Sequence, residues 1–216
     1  MILDIIDDGI KNHIEKTFVN YCILTDDGHG WLTPGKRSFT NPVFYENEFN
    51  SLCEAKLLML LELCGIKKFQ LSPGTIDTEL GKRKLVENEV SSNMSDLNVN
   101  TLGISIHCDA FGEEQNKANG FCVYYYSSAG MQLARCIADS VIESDLHYNH
   151  VVTPRHNNGI DFANFYVLRE TLGTWVLIEN AFMTNDGDLR KLKDDSFKNH
   201  RALAILNGFY NYILKQ

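Results

Sequence analysis

Residues 21–30, Tyr21-Cys22-Ile23-Leu24-Thr25-Asp26-Asp27-Gly28-His29-Gly30, read as an apolar β-strand that runs directly into a polar turn. Two further apolar runs have the same form: residues 102–106 are followed by His107, and residues 175–178 by Glu179. In open α/β sheets, ligands collect outside the carboxyl ends of the strands. The sequence therefore predicts that these three polar ends converge, and two histidines with a carboxylate suit a zinc hydrolase.

The rest of the chain alternates between strand-like and helix-like segments, with two final helices near 186–193 and 196–214. Alternation of this kind predicts an α/β fold with a twisted, mainly parallel sheet and helices on both faces. We expect residues 1–20 to be an N-terminal extension and residues 21–216 to form one domain.

Polar composition predicts loops at two places in this domain. Residues 91–100 and residues 144–161 lack an apolar period and are rich in Ser, Asn, Asp and His. His147 and His150 are three residues apart, a spacing that would chelate a metal on a helix. Because no helix is predicted there, we interpret them as solvated loop residues.

Composition limits the class of protein. At 216 residues, 44% of them hydrophobic, the chain is long enough for one domain with a sizeable core. A net charge of −8 and a pI near 5.3 argue against nucleic acid as the main partner. No apolar run approaches the roughly 18 residues of a membrane span, so we expect no membrane partner. Nothing in the sequence fixes the oligomeric state, and a monomer is expected.

The N-terminus and the cysteines indicate where the protein is made. Residues 1–8 carry acids where a signal peptide needs bases, and no long apolar stretch follows. We therefore expect synthesis in the cytoplasm without a signal peptide. The six cysteines lie mostly in apolar runs and form no C-x-x-C pair, which predicts reduced, structural thiols.

A helix predicted at about residues 46–64 separates two neighbouring glutamates. Its apolar residues follow Glu46 by 3, 7, 11, 14 and 18 positions: Phe49, Cys53, Leu57, Leu60 and Cys64. At about 100° per residue they form one face with Glu46 on its midline, while Glu48 falls near the solvent side. A carboxylate at the head of a buried stripe needs a partner, because burying it unpaired is costly. A metal ion would be such a partner, and so would a buried arginine.

The two histidines also have simpler interpretations. His29 lies between two glycines, which let the backbone turn sharply and let a substrate approach. A turn histidine without a ligand role would have the same surroundings. His107 closes an apolar strand, where a hydrogen-bonded core histidine is common.

Four short motifs occur in order along the chain. They are D-x-G-H-G at 26–30, E-x-x-x-N at 46–50, S-I-H-x-[DN]-A at 105–110, and a strand ending in Glu179 before Phe182-Met183-Thr184-Asn185. Together they resemble the zinc-dependent N-acetylmuramoyl-L-alanine amidases of the amidase_3 family, from about Cys22 to the C-terminus. One departure is Asn180-Ala181, because the family usually has Gly-Phe directly after the catalytic glutamate.

The resemblance implies a role for each motif residue. His29, Glu46 and His107 would bind Zn²⁺ and leave a fourth position open for water, as in catalytic zinc sites. Glu179 would take the proton of that water and pass it to the leaving amine; the alternative is a fourth, structural ligand. Substrate-binding candidates are Asn50, Asp109 and Arg169, although an ordinary salt bridge would equally account for Arg169.

The resemblance also implies the substrate, which is the amide between the lactyl group of N-acetylmuramic acid and L-alanine in peptidoglycan. Without an export signal, the chain fits a phage or prophage endolysin that reaches the cell wall after release by a holin. Two alternatives stay open: a zinc peptidase of related fold that acts on peptides, and a non-catalytic peptidoglycan-binding protein. The second would be expected to have lost a ligand or the catalytic acid.

Overall fold

A computed structural model describes residues 8–30, 37–73 and 77–216, with side chains from residue 11 onward. The helices of this part are α1 (Asp8–Thr17), α2 (Glu46–Leu63), α3 (Leu80–Asp96), α4 (Ser128–His147), α5 (Tyr166–Arg169), α6 (Asp186–Lys193) and α7 (Asp195–Ile213). The strands are β1 (Tyr21–Asp27), β2 (Lys67–Gln70), β3 (Asn100–Asp109), β4 (Cys122–Tyr125), β5 (Ile160–Phe162) and β6 (Thr174–Phe182).

The described strands form one sheet in the order β2-β1-β3-β6-β4-β5. The pairs β1–β2, β1–β3, β3–β6 and β4–β5 are parallel, whereas β4 runs antiparallel to β6. Parallel neighbours require crossover connections, and helices supply them here. The predicted α/β fold with a mainly parallel, helix-covered sheet is therefore confirmed.

The two faces of the sheet carry different cores. Helices α2, α4 and α7 cover the larger core, and residues 102, 104, 106 and 108 of β3 point into it. Helices α3 and α5 cover a smaller core around Trp175 and Leu177. Because side chains alternate along a strand, Ser105, His107 and Glu179 lie on this second face. Gly103 makes room there, since a Cβ at this position would lie 2.1 Å from the Trp175 ring.

The loop prediction for residues 91–100 was wrong, and that for residues 144–161 was wrong at its two ends but correct for residues 148–159. Helix α3 continues to Asp96, where Val90 and Met94 pack against the smaller core. Helix α4 continues to His147, and its buried Asp145 pairs with Arg201 at 3.3 Å. Polar side chains bonded inside the fold hid the helical pattern in both segments.

His147 therefore lies in the last turn of α4 rather than in a loop. His150 follows the helix and is only 19% exposed, with its Nδ1 3.2 Å from His200 Nδ1. Its interpretation as a solvated residue was also wrong.

The N-terminal helix and the cysteines are the remaining parts of the fold that the sequence analysis addressed. Helix α1 contacts α7, and His13 Nε2 lies 2.9 Å from the Tyr210 hydroxyl. All six cysteines are buried and free, as predicted. Within the described ranges, no helix is both long and apolar enough to cross a bilayer.

Candidate metal centre and active site

The structure brings the three predicted metal ligands together at the carboxyl end of the sheet. His29 follows β1, Glu46 is the first residue of α2, and His107 lies near the end of β3. One ligand atom of each lies within 4.8 Å of the others. His107 Nδ1 is 2.9 Å from Glu46 Oε1, and His29 Nε2 is 3.5 Å from Glu46 Oε2.

Glycine at position 28 allows this close approach. A Cβ there would lie 1.9 Å from His107 Cε1, so any other residue would displace the ring. The Gly28 N–H donates to the Ile106 carbonyl at 3.0 Å, which joins the turn to β3. His29 itself has a φ of 68°, a left-handed conformation that costs energy for a residue with a Cβ. The turn therefore holds a strained histidine against the second ligand.

Glu46 and Glu48 have the separate environments that the helix pattern predicts. Glu46 is 2% exposed and heads a buried stripe that continues through Phe49 and Cys53. Glu48 is half-buried, and its Oε1 accepts a hydrogen bond from the Tyr45 N–H at 2.8 Å. Glu48 thus caps α2, while Glu46 faces the two histidines.

Burial and charge interactions oppose each other in setting the pKa values of these three residues. Burial raises the pKa of Glu46, but the hydrogen bond and charge of His107 and the charge of His29 outweigh it and leave the pKa below its ordinary value. Burial lowers the pKa of His107, but its hydrogen bond to Glu46 and the charges of Glu46 and Glu179 raise it to about 9. Burial also lowers the pKa of His29.

The side chains of His29, Glu46 and His107 are of the types that bind zinc. Two imidazoles and one carboxylate are typical ligands of catalytic zinc, and a bound ion would replace the proton shared by His107 and Glu46. Within the described part of the chain, the buried Glu46 Oε2 has no hydrogen-bond partner, although His29 Nε2 faces it at 3.5 Å. A buried carboxylate oxygen without a hydrogen-bond donor needs a cation nearby, because burying its charge unpaired is costly.

A chain of hydrogen bonds behind His107 fixes its ring. Ser105 Oγ donates to Asp26 Oδ2 at 2.7 Å, so it accepts from His107 Nε2, which lies 3.1 Å away. In the neutral ring the proton is then on Nε2, and the lone pair on Nδ1 points to the Glu46 side. The buried Arg83 bonds Asp26 in turn. Supports of this kind orient metal ligands and fix their tautomer.

Glu179 lies beside this group on the same face of the sheet. It is the direct partner of His107 in the β3–β6 register and of Cys122 in the β4–β6 register. The Asn180 side chain, where the sequence departs from the family pattern, is buried and donates to the His107 carbonyl at 2.9 Å. The departure therefore ties β6 to β3 and leaves Glu179 in place.

The three substrate-binding candidates have different surroundings. Asn50 is fully buried and donates to the Gly28 carbonyl at 2.8 Å, so these contacts support the turn rather than meet a substrate. Asp109 Oδ2 lies 3.2 Å from Arg155 Nη2. Arg169 is 35% exposed and pairs with Glu170 at 2.8 Å. Direct substrate contact by any of them stays a prediction.

A cavity of ≈ 380 Å³ opens over the histidines. Its lining includes His29, His107, Phe165 and Tyr166, so α5 forms part of the wall. The residues that the sequence did not reveal are Ser105 and Arg83 behind the metal ligands and Arg155 beside Asp109. The serine belonged to a quoted motif but was given no role, and Arg155 lay in a segment predicted to be a loop.

The chain matches the model of the Amidase_3 family, described as N-acetylmuramoyl-L-alanine amidase, over residues 23–211. It is 28% identical over 203 residues to the N-acetylmuramoyl-L-alanine amidase LytC of Bacillus subtilis, covering 94% of this chain and 38% of LytC. It is 26% identical over 210 residues to the probable cell wall amidase LytH of Staphylococcus aureus, covering 97% of this chain and 64% of LytH. The chain thus spans roughly one third to two thirds of the length of these relatives.

Solved structures agree with this fold. The catalytic domain of CwlV, an N-acetylmuramoyl-L-alanine amidase from Bacillus (Paenibacillus) polymyxa, superposes with a TM-score of 0.75 at 26% identity, covering 91% of this chain and 99% of that domain. An N-acetylmuramoyl-L-alanine amidase from Clostridium difficile 630 gives 0.77 at 24% identity, covering 91% and 98%. Since the family model spans most of the chain, the protein belongs to the Amidase_3 family of N-acetylmuramoyl-L-alanine amidases.

Proposed function

We propose that this chain is a zinc-dependent amidase that cuts peptidoglycan between N-acetylmuramic acid and the L-alanine of the peptide stem. The observation that carries the chemistry is the His29–Glu46–His107 group, with its ligand atoms within 4.8 Å of one another and Glu179 paired with His107 in the sheet. Family membership and relatives named as amidases support the substrate class.

The chain's own residues divide the work of the reaction. Zinc held by His29, Glu46 and His107 would polarise the scissile carbonyl and acidify the attacking water. Glu179 accepts the proton of that water on its carboxylate and delivers it to the alanine nitrogen as the bond breaks. Ser105 and Asp26 keep the His107 ring oriented throughout.

The products of this reaction distinguish it from other wall hydrolases. Attack on the lactyl amide leaves a carboxylate on the muramic acid and a free α-amine on L-alanine. Digested sacculi should therefore gain N-terminal alanine, with long glycan strands and no new reducing sugar. New reducing ends, or stem peptides still joined to sugar, would contradict the proposal. Chelator should abolish the release, and added zinc should restore it.

The proposal also includes the place where the protein acts. The cell wall is the proposed site of action, and the endolysin role expected from the sequence stays a prediction. Expression in a bacterial host with and without a holin tests that role, since an endolysin should lyse the host only when the holin is present.

A further inference from the structure

The backbone of Arg155 is held in place by hydrogen bonds to a neighbouring segment. It lies between α4 and β5, in a segment that is fastened to the start of β4 by two backbone hydrogen bonds. Phe121 N–H donates to the Thr153 carbonyl at 2.9 Å, and Arg155 N–H donates to the Phe121 carbonyl at 3.0 Å. Gly120 permits this contact, because a Cβ there would lie 2.4 Å from the Thr153 oxygen. The backbone of Arg155 is therefore positioned in advance.

The guanidinium of Arg155 is also positioned, but its bonding capacity is not filled. It stacks over the Phe182 ring at 4.7 Å, and Nη2 lies 3.2 Å from Asp109 Oδ2. Among the described residues, the buried Nε and Nη2 have no hydrogen-bond partner, while 18% of the side chain is exposed. A guanidinium is a planar fork of five donors that matches a carboxylate. The exposed part of this guanidinium can donate to an anionic ligand.

The location of this fork relates it to the reaction. Phe182 follows Glu179 on β6, and Asp109 follows His107 on β3, so Arg155 lies beyond Glu179 near the ends of the same strands. The charges of Arg155 and Glu179 both act on the hydroxyl of Tyr124. An anionic part of a substrate would be attracted to Arg155.

We propose that Arg155 binds a free carboxylate of the peptide stem, on the amine side of the bond that is cut. The inference rests on the proposed amidase function, because it assigns one end of that substrate. Asp109 and Phe182 are positioning residues for the guanidinium. A stem whose carboxylate is blocked as an amide would lose the charge-assisted contact.

Two soluble muramyl tripeptides test this directly. They differ only in the residue after alanine, which carries an α-carboxylate in one and an α-carboxamide in the other. Wild type should cleave the acid with a kcat/KM at least about tenfold higher than that for the amide. One charge-assisted hydrogen bond contributes about this factor to binding. Arg155→Gln should bring the ratio close to one. Arg190→Gln, at an exposed arginine on α6, should keep the wild-type ratio.

The ratio of the two kcat/KM values reports on substrate recognition and not on folding, because a loss of folded protein lowers both values equally. A wild-type ratio near one, or an Arg155→Gln variant that keeps the wild-type ratio, would overturn the proposal. If neither tripeptide is cleaved, the amidase function itself fails. Calorimetric titration with the two free tripeptides then decides the binding site: a preference for the acid that Arg155→Gln removes supports it, and equal affinities refute it.

Discussion

The two walls of the cleft are built in different ways. The metal wall, formed by His29, Glu46 and His107, is joined to the sheet by Gly28, Asn50, Ser105 and Asp26 through hydrogen bonds of 2.7–3.1 Å. In the stem wall, formed by Asp109, Arg155 and Phe182, one ion pair and one ring contact connect the arginine side chain to the other two residues.

This difference shows which side chains of an active site are positioned by residues close to them in the sequence. Each residue of the metal wall sits at the end of a strand or the start of a helix, where a few neighbours fix its direction. Arg155 reaches the stem wall only because Thr153 and Arg155 bond to Phe121, more than thirty residues earlier in the chain. The metal wall should therefore determine whether the reaction occurs, and the stem wall which substrate is preferred.

The largest expected effect is at Glu179, which lies between the two walls. Glu179→Gln keeps the shape of the side chain but removes its ability to accept a proton. The kcat should fall by roughly 10²–10⁴, while zinc content measured by mass spectrometry stays at the wild-type level. Loss of zinc in this variant would instead make Glu179 a ligand and part of the metal wall.

Glu46 and Glu48 form a matched pair two residues apart. Glu46→Ala should weaken zinc affinity by more than the roughly 10–100-fold typical of a supporting residue, because it removes a ligand. Glu48→Ala should leave affinity unchanged and cost about 1 kcal/mol of stability through the lost helix cap. Competition with a fluorescent zinc chelator measures both affinities. The reverse pattern would show that the helix face was assigned wrongly.

A smaller effect is expected at Ser105. Ser105→Ala removes the acceptor that orients His107 Nε2, and zinc affinity should fall by about tenfold. Ser140→Ala is the control, because Ser140 is also buried and accepts a hydrogen bond at 3.2 Å, from Asn211 on the far side of the molecule. Equal zinc affinities for the two variants would remove Ser105 from the support of the metal wall.

The smallest effect on catalysis is expected at Glu54, which lies behind the metal wall and accepts a hydrogen bond from Gln70 at 2.6 Å. Burial, with a smaller contribution from the charge of Asp26, raises its pKa from 4.5 to about 7. The folded state therefore holds this proton more tightly than the unfolded state, and the associated stability is complete below pH 4.5 and lost as the pH rises through 7.

Glu54→Gln, which stays neutral, should remove this part of the pH dependence. At pH 8 the variant should be more stable than wild type by up to about 3 kcal/mol, with little difference at pH 4. Urea denaturation in chelator across this range measures it. A wild-type free energy of unfolding that rises between pH 5 and 7 relative to the variant would contradict the assignment.

The sequence was sufficient for the fold class and for the grouping of the metal wall. Alternation of strands and helices implied the sheet, and the stripe from Phe49 to Cys64 separated Glu46 from Glu48. Helix α3 beyond Val90 and the end of α4 were missed, because Ser91 and Asp145 are buried polar residues whose partners, Thr101 and Arg201, lie outside their own helices. Arg155 was missed for the same reason, since no local period marks a residue held by tertiary contacts.

The central claim is that one zinc ion binds His29, Glu46 and His107 while Glu179 is not a ligand and moves a proton. The most direct measurement is a crystal structure of the zinc-loaded protein with anomalous diffraction recorded on both sides of the zinc absorption edge. We expect one anomalous peak bonded to these three residues at about 2.0–2.2 Å, with the Glu179 carboxylate outside bonding distance. A peak elsewhere, or one that includes Glu179 as a ligand, would contradict the account.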